Sequence, residues 1–440
     1  MYKRTTTLLT LLLLTIGAQA QRVSIWLPHF AGKEYVFVLN QGLTGDTIAR
    51  GTLNAQGQTS IALPDRYREY RGMSRFRLAE GGGLDLVVAG GENYMVSCMD
   101  AVPSVDNIVV TDSPENSFVT REFREEQRLR QQAQVLETVL QAFDKADGFY
   151  KQALEKQAAI ERATARHDSL VAHTPLYAGR FLQLSRYLDD VATAYTKRGD
   201  DLERIRAYGL RQLDLEAMYT SGLWYHIVDY WTAMYRDYIN EDDALRKDAI
   251  SILKRTPKRE VFEEFAANIL SICEQNNWGE TQAALADYLA SSRRIDGDSK
   301  LSLRDVVMMN RVAPGRMAPD LVLANGKKLS LANRGNTKTL LVFHETGCDN
   351  CDREIGLLRQ QYAALREEGV EVISVSSDLD KGIFEAVAPS FPWERRICDY
   401  RGFEGANFRN YVVMGTPTLF VVDGKGVILG RYARLEEVEN

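Results

Sequence analysis

Cysteine and histidine are both scarce, with five of each in 440 residues. Five cysteines are too few for a disulfide-stapled scaffold, and an odd number leaves at least one thiol over. The histidines (His29, His167, His173, His226, His344) form no ligand pair near any cysteine pair, so a structural zinc site lacks its third and fourth ligands. Long apolar runs are missing beyond the first twenty residues, whereas a bilayer-spanning helix needs about 20. An excess of positive charge is missing as well. The formal net charge is -6 with both signs interspersed, which argues against nucleic acid and against a basic membrane-docking surface. Proteins and small molecules remain as partners.

The apolar run that is present, Leu8 to Ile16, follows Lys3 and Arg4 and precedes Ala18-Gln19-Ala20. That order predicts a cleavable signal peptide over 1–20. No cysteine stands at the expected cleavage point, so no lipid anchor is suggested. The mature protein is expected to be soluble and exported, to a periplasm or cell envelope. Loss of Lys3 and Arg4 takes the charge from -6 to -8.

About 420 residues then remain, more than one hydrophobic core usually organises, and three composition regimes follow one another. From 21 to 112, short segments such as Tyr35 to Leu39, Gln58 to Leu63 and Tyr94 to Cys98 are separated by Gly, Asn and Asp. They predict an antiparallel, sandwich-like all-β domain, with Cys98 as an inert core residue. From 113 to 312, Glu, Gln, Arg, Ala and Leu dominate and proline is rare, which predicts an all-α domain. Leu129, Leu136, Leu140, Phe143, Tyr150 and Leu154 keep the spacing of one buried face on a long amphipathic helix. Pro175 fits the opening turn of another. The stripe Trp224, Ile227, Val228, Trp231, Met234, Tyr235 and Tyr238 reads as core packing in preference to a substrate groove, and Cys273 also reads as core. Linker composition at Arg293 to Ser302 and Val312 to Ala318 precedes an α/β domain over 313–440. The β and helical domains are expected to position substrates or to mediate self-association.

Cys348 and Cys351 form a C-x-x-C between the apolar strand Leu340 to Phe343 and a helical pattern through Ile355, Leu358, Tyr362 and Leu365. A helix start favours an anion, so Cys348 is the expected nucleophile. Helical geometry leaves i and i+3 about 5 Å apart, within reach of an unstrained disulfide. Cys351 is therefore the expected resolving thiol, and the pair itself is the only cofactor required. The acidic Asp349, Asp352 and Glu354 disfavour a stabilised thiolate, which favours a reducing role over an oxidising one.

Ala318-Pro319-Asp320-Leu321, the strand, the C-x-x-C, the strand Val370 to Val375 and Gly415-Thr416-Pro417-Thr418 before Leu419 to Asp423 occur in an order that resembles the thioredoxin-like domains of the TlpA/ResA type, exported bacterial thiol-disulfide oxidoreductases. The resemblance implies a cis-Pro417 facing the sulfurs, Thr416 offering its backbone to an extended substrate segment, and Glu354 as an acid near the thiols. A solvated surface glutamate is the competing reading of Glu354. The resemblance also implies disulfide-containing envelope proteins as substrates and a membrane electron donor. An inserted stretch, Trp393 to Tyr411, fits the same type. Departures are Gly347, counted with Thr416 among the substrate-facing residues but standing where relatives usually have tryptophan, His344 at an aromatic position, Val342 where thioredoxin has a buried acid, and a short ending after Tyr432. His344 has two readings, tuning the thiolate or a hydrogen-bonded structural histidine. A peroxiredoxin needs Thr and Pro where this chain has Glu345 and Leu341. The remaining alternative is a partner-binding envelope protein with a vestigial thioredoxin-like domain. Cys398 reads as a buried strand-end thiol in preference to a third redox group.

Overall fold

The computed structural model describes residues 21–197, 201–239 and 242–438. The expected signal peptide lies outside the described residues. The chain divides into two compact units, one ending at Asn268 and the other Ile269–Asn440.

The first unit opens with β1 (Arg22–Trp26), β2 (Glu34–Gln41), β3 (Thr44–Thr52), β4 (Gln58–Ala62), β5 (Arg71–Leu78), β6 (Gly83–Ala89), β7 (Tyr94–Ser97) and β8 (Val109–Thr111). These strands form two sheets, ordered β4-β1-β7-β8 and β3-β2-β5-β6. Alternate residues such as Val23 and Ile25 on β1, Phe37 and Leu39 on β2, and Phe76 on β5 enter one shared core with Cys98. The period of two in the sequence produces that one-sided burial. The expectation of a wholly antiparallel arrangement is corrected: β1 pairs antiparallel with β4 but parallel with β7. The chain builds β5 and β6 in the other sheet before it returns as β7, and it re-enters running the same way as β1.

Helices follow. Ser113 caps α1 (Pro114–Ala142), accepting from Asn116 N, with Pro114 in the first turn where its missing N–H costs nothing. Next come α2 (Gly148–His173), α3 (Tyr177–Lys197), α4 (Leu202–Arg211), α5 (Leu215–Ser221) and α6 (Trp224–Met234), the last running into a π turn, Tyr235–Ile239. Then come α7 (Asp242–Lys254) and α8 (Arg259–Gln275), whose last residues belong to the second unit. The expected single helix through Leu129 and Leu154 is also corrected. It breaks after Ala142, and α2 restarts with Asp147 accepting from Phe149 N. Leu129 is buried, whereas Phe143 and Leu154 are exposed and Phe143 packs edge-on against Phe149. The stripe on α6 is core as expected, with Trp224, Ile227, Val228, Trp231 and Met234 all buried. Pro175 sits just ahead of α3, outside its first turn.

In the second unit Cys273 is buried near the end of α8. Helices α9 (Gly279–Ser292) and α10 (Leu301–Asn310) precede the hairpin β9 (Leu321–Val322) and β10 (Lys328–Leu329). There follow β11 (Lys338–His344), α11 (Asp349–Glu367), β12 (Val370–Ser376), α12 (Lys381–Val387), β13 (Arg395–Cys398), α13 (Ala406–Asn410), β14 (Thr418–Asp423) and β15 (Ile428–Tyr432). The sheet order is β13-β12-β11-β14-β15. The central β11 is parallel to β12 and antiparallel to β14. Being buried on both faces, it reads as one continuous apolar run. Leu341 and Phe343 face Phe408, Tyr411 and Phe420, while Leu340 and Val342 face Ile355 and Leu358 of α11. The inserted stretch supplies the edge strand β13 and the short α13. A 3-10 turn, Leu435–Glu437, follows β15.

Candidate active site

The site forms where β11 ends and α11 begins. Gly347 sits at φ 82° with open space around its Cβ position. That left-handed conformation suits glycine and strains any larger residue. Cys348 is the residue preceding α11, with extended backbone and half-buried, and its C=O accepts from Asp352 N at 2.9 Å. Cys351, one turn on, is fully buried. Both are free thiols. Burial pushes the Cys351 thiol up to about 11, and Cys348 alongside adds to the rise, while hydrogen bonds from the Thr416 side chain and the Glu345 backbone pull it down. The two thiols are therefore unequal: the half-buried one meets the open helix start, and the deep one holds its proton.

The Thr416–Pro417 peptide is cis. Thr418 opens β14 opposite Phe343 of β11, and its hydroxyl donates to Gly415 O at 2.7 Å. The loop is thus carried to the end of the strand that leads into Gly347 and Cys348. Sheet pairing brings these residues together from positions some seventy apart in the chain.

Glu354 is 5% exposed, and its Oε2 accepts from Leu435 N at 2.7 Å. That overturns the solvated-surface reading. Its partner belongs to the 3-10 turn Leu435–Glu437 that follows β15. Sequence reasoning had no signal for this contact, because 81 residues separate the two groups.

For His344 the sequence left two readings open. It ends β11, where its register neighbours are Ser376 of β12 and, one strand further, Cys398 of β13. Its ring meets Phe391 edge-on at 5.6 Å between centroids. Burial pulls its pKa down to about 4 against the opposing pull of Asp378 and Asp352. Its Nε2 is buried without a hydrogen-bond partner among the described residues, so the hydrogen-bonded structural reading fails for that nitrogen. Asp378 is engaged elsewhere, accepting from Thr346 N at 3.0 Å and Thr346 Oγ1 at 2.7 Å. Cys398 is buried, its Sγ donates to Asp378 O at 3.3 Å, and burial raises its pKa. Val342 is buried against α11, leaving an apolar wall at the position of thioredoxin's acid. Among the described residues, no group of three or more His, Cys, Asp or Glu is placed to hold a metal ion.

Comparison with known proteins matches this region. The model of the AhpC/TSA family covers residues 314–431. The thiol-disulfide oxidoreductase ResA of Bacillus thuringiensis is 26% identical over 117 residues, 26% of this chain and 66% of that protein. ResA of Geobacillus thermodenitrificans is 30% identical over 119 residues, 27% of this chain and 67% of that protein. The chain thus spans about two-thirds of the length of these curated relatives. A solved thiol-disulfide oxidoreductase from Bacteroides fragilis matches 28% of this chain and 95% of its own at 24% identity, with a TM-score of 0.25. By its C-terminal domain the chain belongs to the TlpA/ResA-like family of thioredoxin-fold thiol-disulfide oxidoreductases.

Proposed function

We propose that the protein reduces disulfides in exported proteins of the cell envelope. The observation that carries this reading is the half-buried Cys348 at the start of α11, one turn from a buried thiol and beside a cis-proline loop. The Cys348 thiolate attacks a substrate disulfide; the substrate S–S bond breaks, a mixed disulfide forms, and the freed substrate sulfur takes a proton. Cys351 then gives up its proton and attacks Cys348 Sγ. The second substrate sulfur leaves, and a Cys348–Cys351 disulfide remains. Two electrons have passed to the substrate. No cofactor beyond that disulfide enters the cycle.

A high pKa at Cys351 keeps the resolving thiol protonated until the mixed disulfide forms, so its deprotonation needs a nearby base. Glu354, three residues along the same helix, is the proposed group. Thr416 offers backbone to an extended substrate segment by strand addition, and the side-chain-free Gly347 leaves the approach to Cys348 open. Reduction of the spent disulfide falls to a membrane electron donor, a role taken from the family, and export rests on the signal pattern in 1–20.

Trapping separates this from a partner-binding protein with a vestigial domain. A Cys351→Ser variant is expected to accumulate mixed disulfides through Cys348 with oxidised envelope proteins. Absence of adducts while partners still co-purify favours the binder.

A further inference from the structure

A groove of about 520 Å³ runs beside the redox pair, lined by Asn350, Arg353, Glu354, Gly415 to Thr418, Arg431, Ala433 and Arg434. It shares Thr416 with the surroundings of Cys351, whose pKa the Thr416 side chain pulls down. Its charge is unbalanced. Arg434 is answered by Glu436 at 2.6 Å and Glu437 at 3.1 Å. Among the described residues, however, Arg353 and Arg431 pair with no carboxylate. Glu354 is the one acid in the lining, and it is bonded to Leu435 N. Asp349 and Asp352 of the same helix do not line the groove.

Arg431 is half-buried and fixed. Its guanidinium lies over the Phe420 ring at 5.5 Å, with Nη1 donating to Met309 Sδ at 3.1 Å and Nη2 to Val412 O at 3.3 Å. These two neutral acceptors leave its charge unneutralised, and a desolvated cation lacking a counter-charge gains most from an incoming anion. Arg353, exposed on α11, adds a second cation reachable by a longer side chain.

We infer that this groove selects substrates, favouring disulfide-containing polypeptides with Asp or Glu in the segment next to the attacked cysteine. The inference rests on the proposed reductase reading. An extended segment laid along Thr416 projects alternate side chains to opposite sides, so every second residue meets the groove. A planar carboxylate there matches the guanidinium fork. The amide of Asn or Gln matches it only as a neutral acceptor.

The test mixes pre-reduced full-length protein with two peptides, each closed by one internal disulfide and identical except for Glu-Glu or Gln-Gln beside the cysteine. A small neutral disulfide is run in parallel. Single-turnover rates need no external reductant. The acidic peptide is expected to react roughly 3- to 30-fold faster at low salt, with the ratio shrinking as salt rises. Arg353→Gln, at an exposed position, and Arg431→Gln should each reduce that ratio. Equal rates for the two peptides overturn the groove inference and leave the reductase reading standing. If neither peptide nor the small disulfide is reduced, both fall together.

Discussion

Buried polar groups behave differently around the start of α1 and around the redox pair. In the first, they close on one another. Glu115 is 4% exposed, and its carboxylate accepts from Tyr177 N at 3.0 Å and Ala178 N at 2.7 Å, tying the start of α1 to the start of α3. Asn116 both accepts from Val87 N and donates to Val87 O. His167 receives a bond from Arg186 and touches Glu122. Elsewhere in the first unit, Trp231 Nε1 and Arg255 Nε have no partner among the described residues, although Arg255 is otherwise bonded to Leu213 O and Gly209 O. At the redox end of the second unit, His344 Nε2 has no partner and Cys351 holds a raised pKa in a packed interior. Satisfied burial fixes a shape, and unsatisfied burial stores a chemical tendency.

The contrast can be broken by substitution. Glu115→Ala strips two buried N–H groups of their acceptor and should destabilise the first unit by about 3 kcal/mol, read by denaturant unfolding, while leaving single-turnover thiol chemistry near wild type. A matching loss of thiol chemistry would mean that the two kinds of burial are not separable.

His344 sharpens it through pH. A histidine with an unfolded pKa near 6.5 and a folded pKa of about 4 is protonated mainly in the unfolded chain within that window. Stability is therefore full above about pH 6.5 and falls as pH drops, by roughly 3 kcal/mol near pH 4. Hydrogen exchange at the β11 amides should follow that slope, and His344→Phe should flatten it. An unchanged slope in the variant would assign the effect to carboxylates.

Glu354→Ala should cost about 1 to 3 kcal/mol through the orphaned Leu435 N–H, whereas Glu354→Gln keeps an acceptor and the wild-type melting temperature. If Glu354 serves the resolving thiol, the Gln variant should still slow release of the mixed disulfide. Fast release in Glu354→Gln would make the residue purely structural.

Short-range order in the chain was the legible part. The apolar run of β11, the C-x-x-C at its end and the helical stripe behind it are neighbours in sequence, so the site's axis could be read directly. The break between α1 and α2 was also written there, in Asp147-Gly148, but the leucine spacing continued past it and outweighed the cap. Contacts made by return of the chain were not readable. The parallel β1–β7 pair depends on the path through β5 and β6, the burial of Glu354 depends on Leu435, and the isolation of His344 depends on Phe391 and on the alignment of three strand ends. Gly347 read as a missing tryptophan, and its left-handed backbone angle could not be read from sequence.

Cys348 and Cys351 are expected to form a reversible redox couple. Titration of the purified protein in glutathione or dithiothreitol buffers, with alkylated cysteines counted by mass spectrometry, tests it most directly. A two-electron transition confined to these two residues is expected, at a potential near or below about -270 mV, with Cys98, Cys273 and Cys398 remaining thiols throughout. A pair that stays reduced across the titration, or one in which Cys398 takes the place of Cys351, would contradict it.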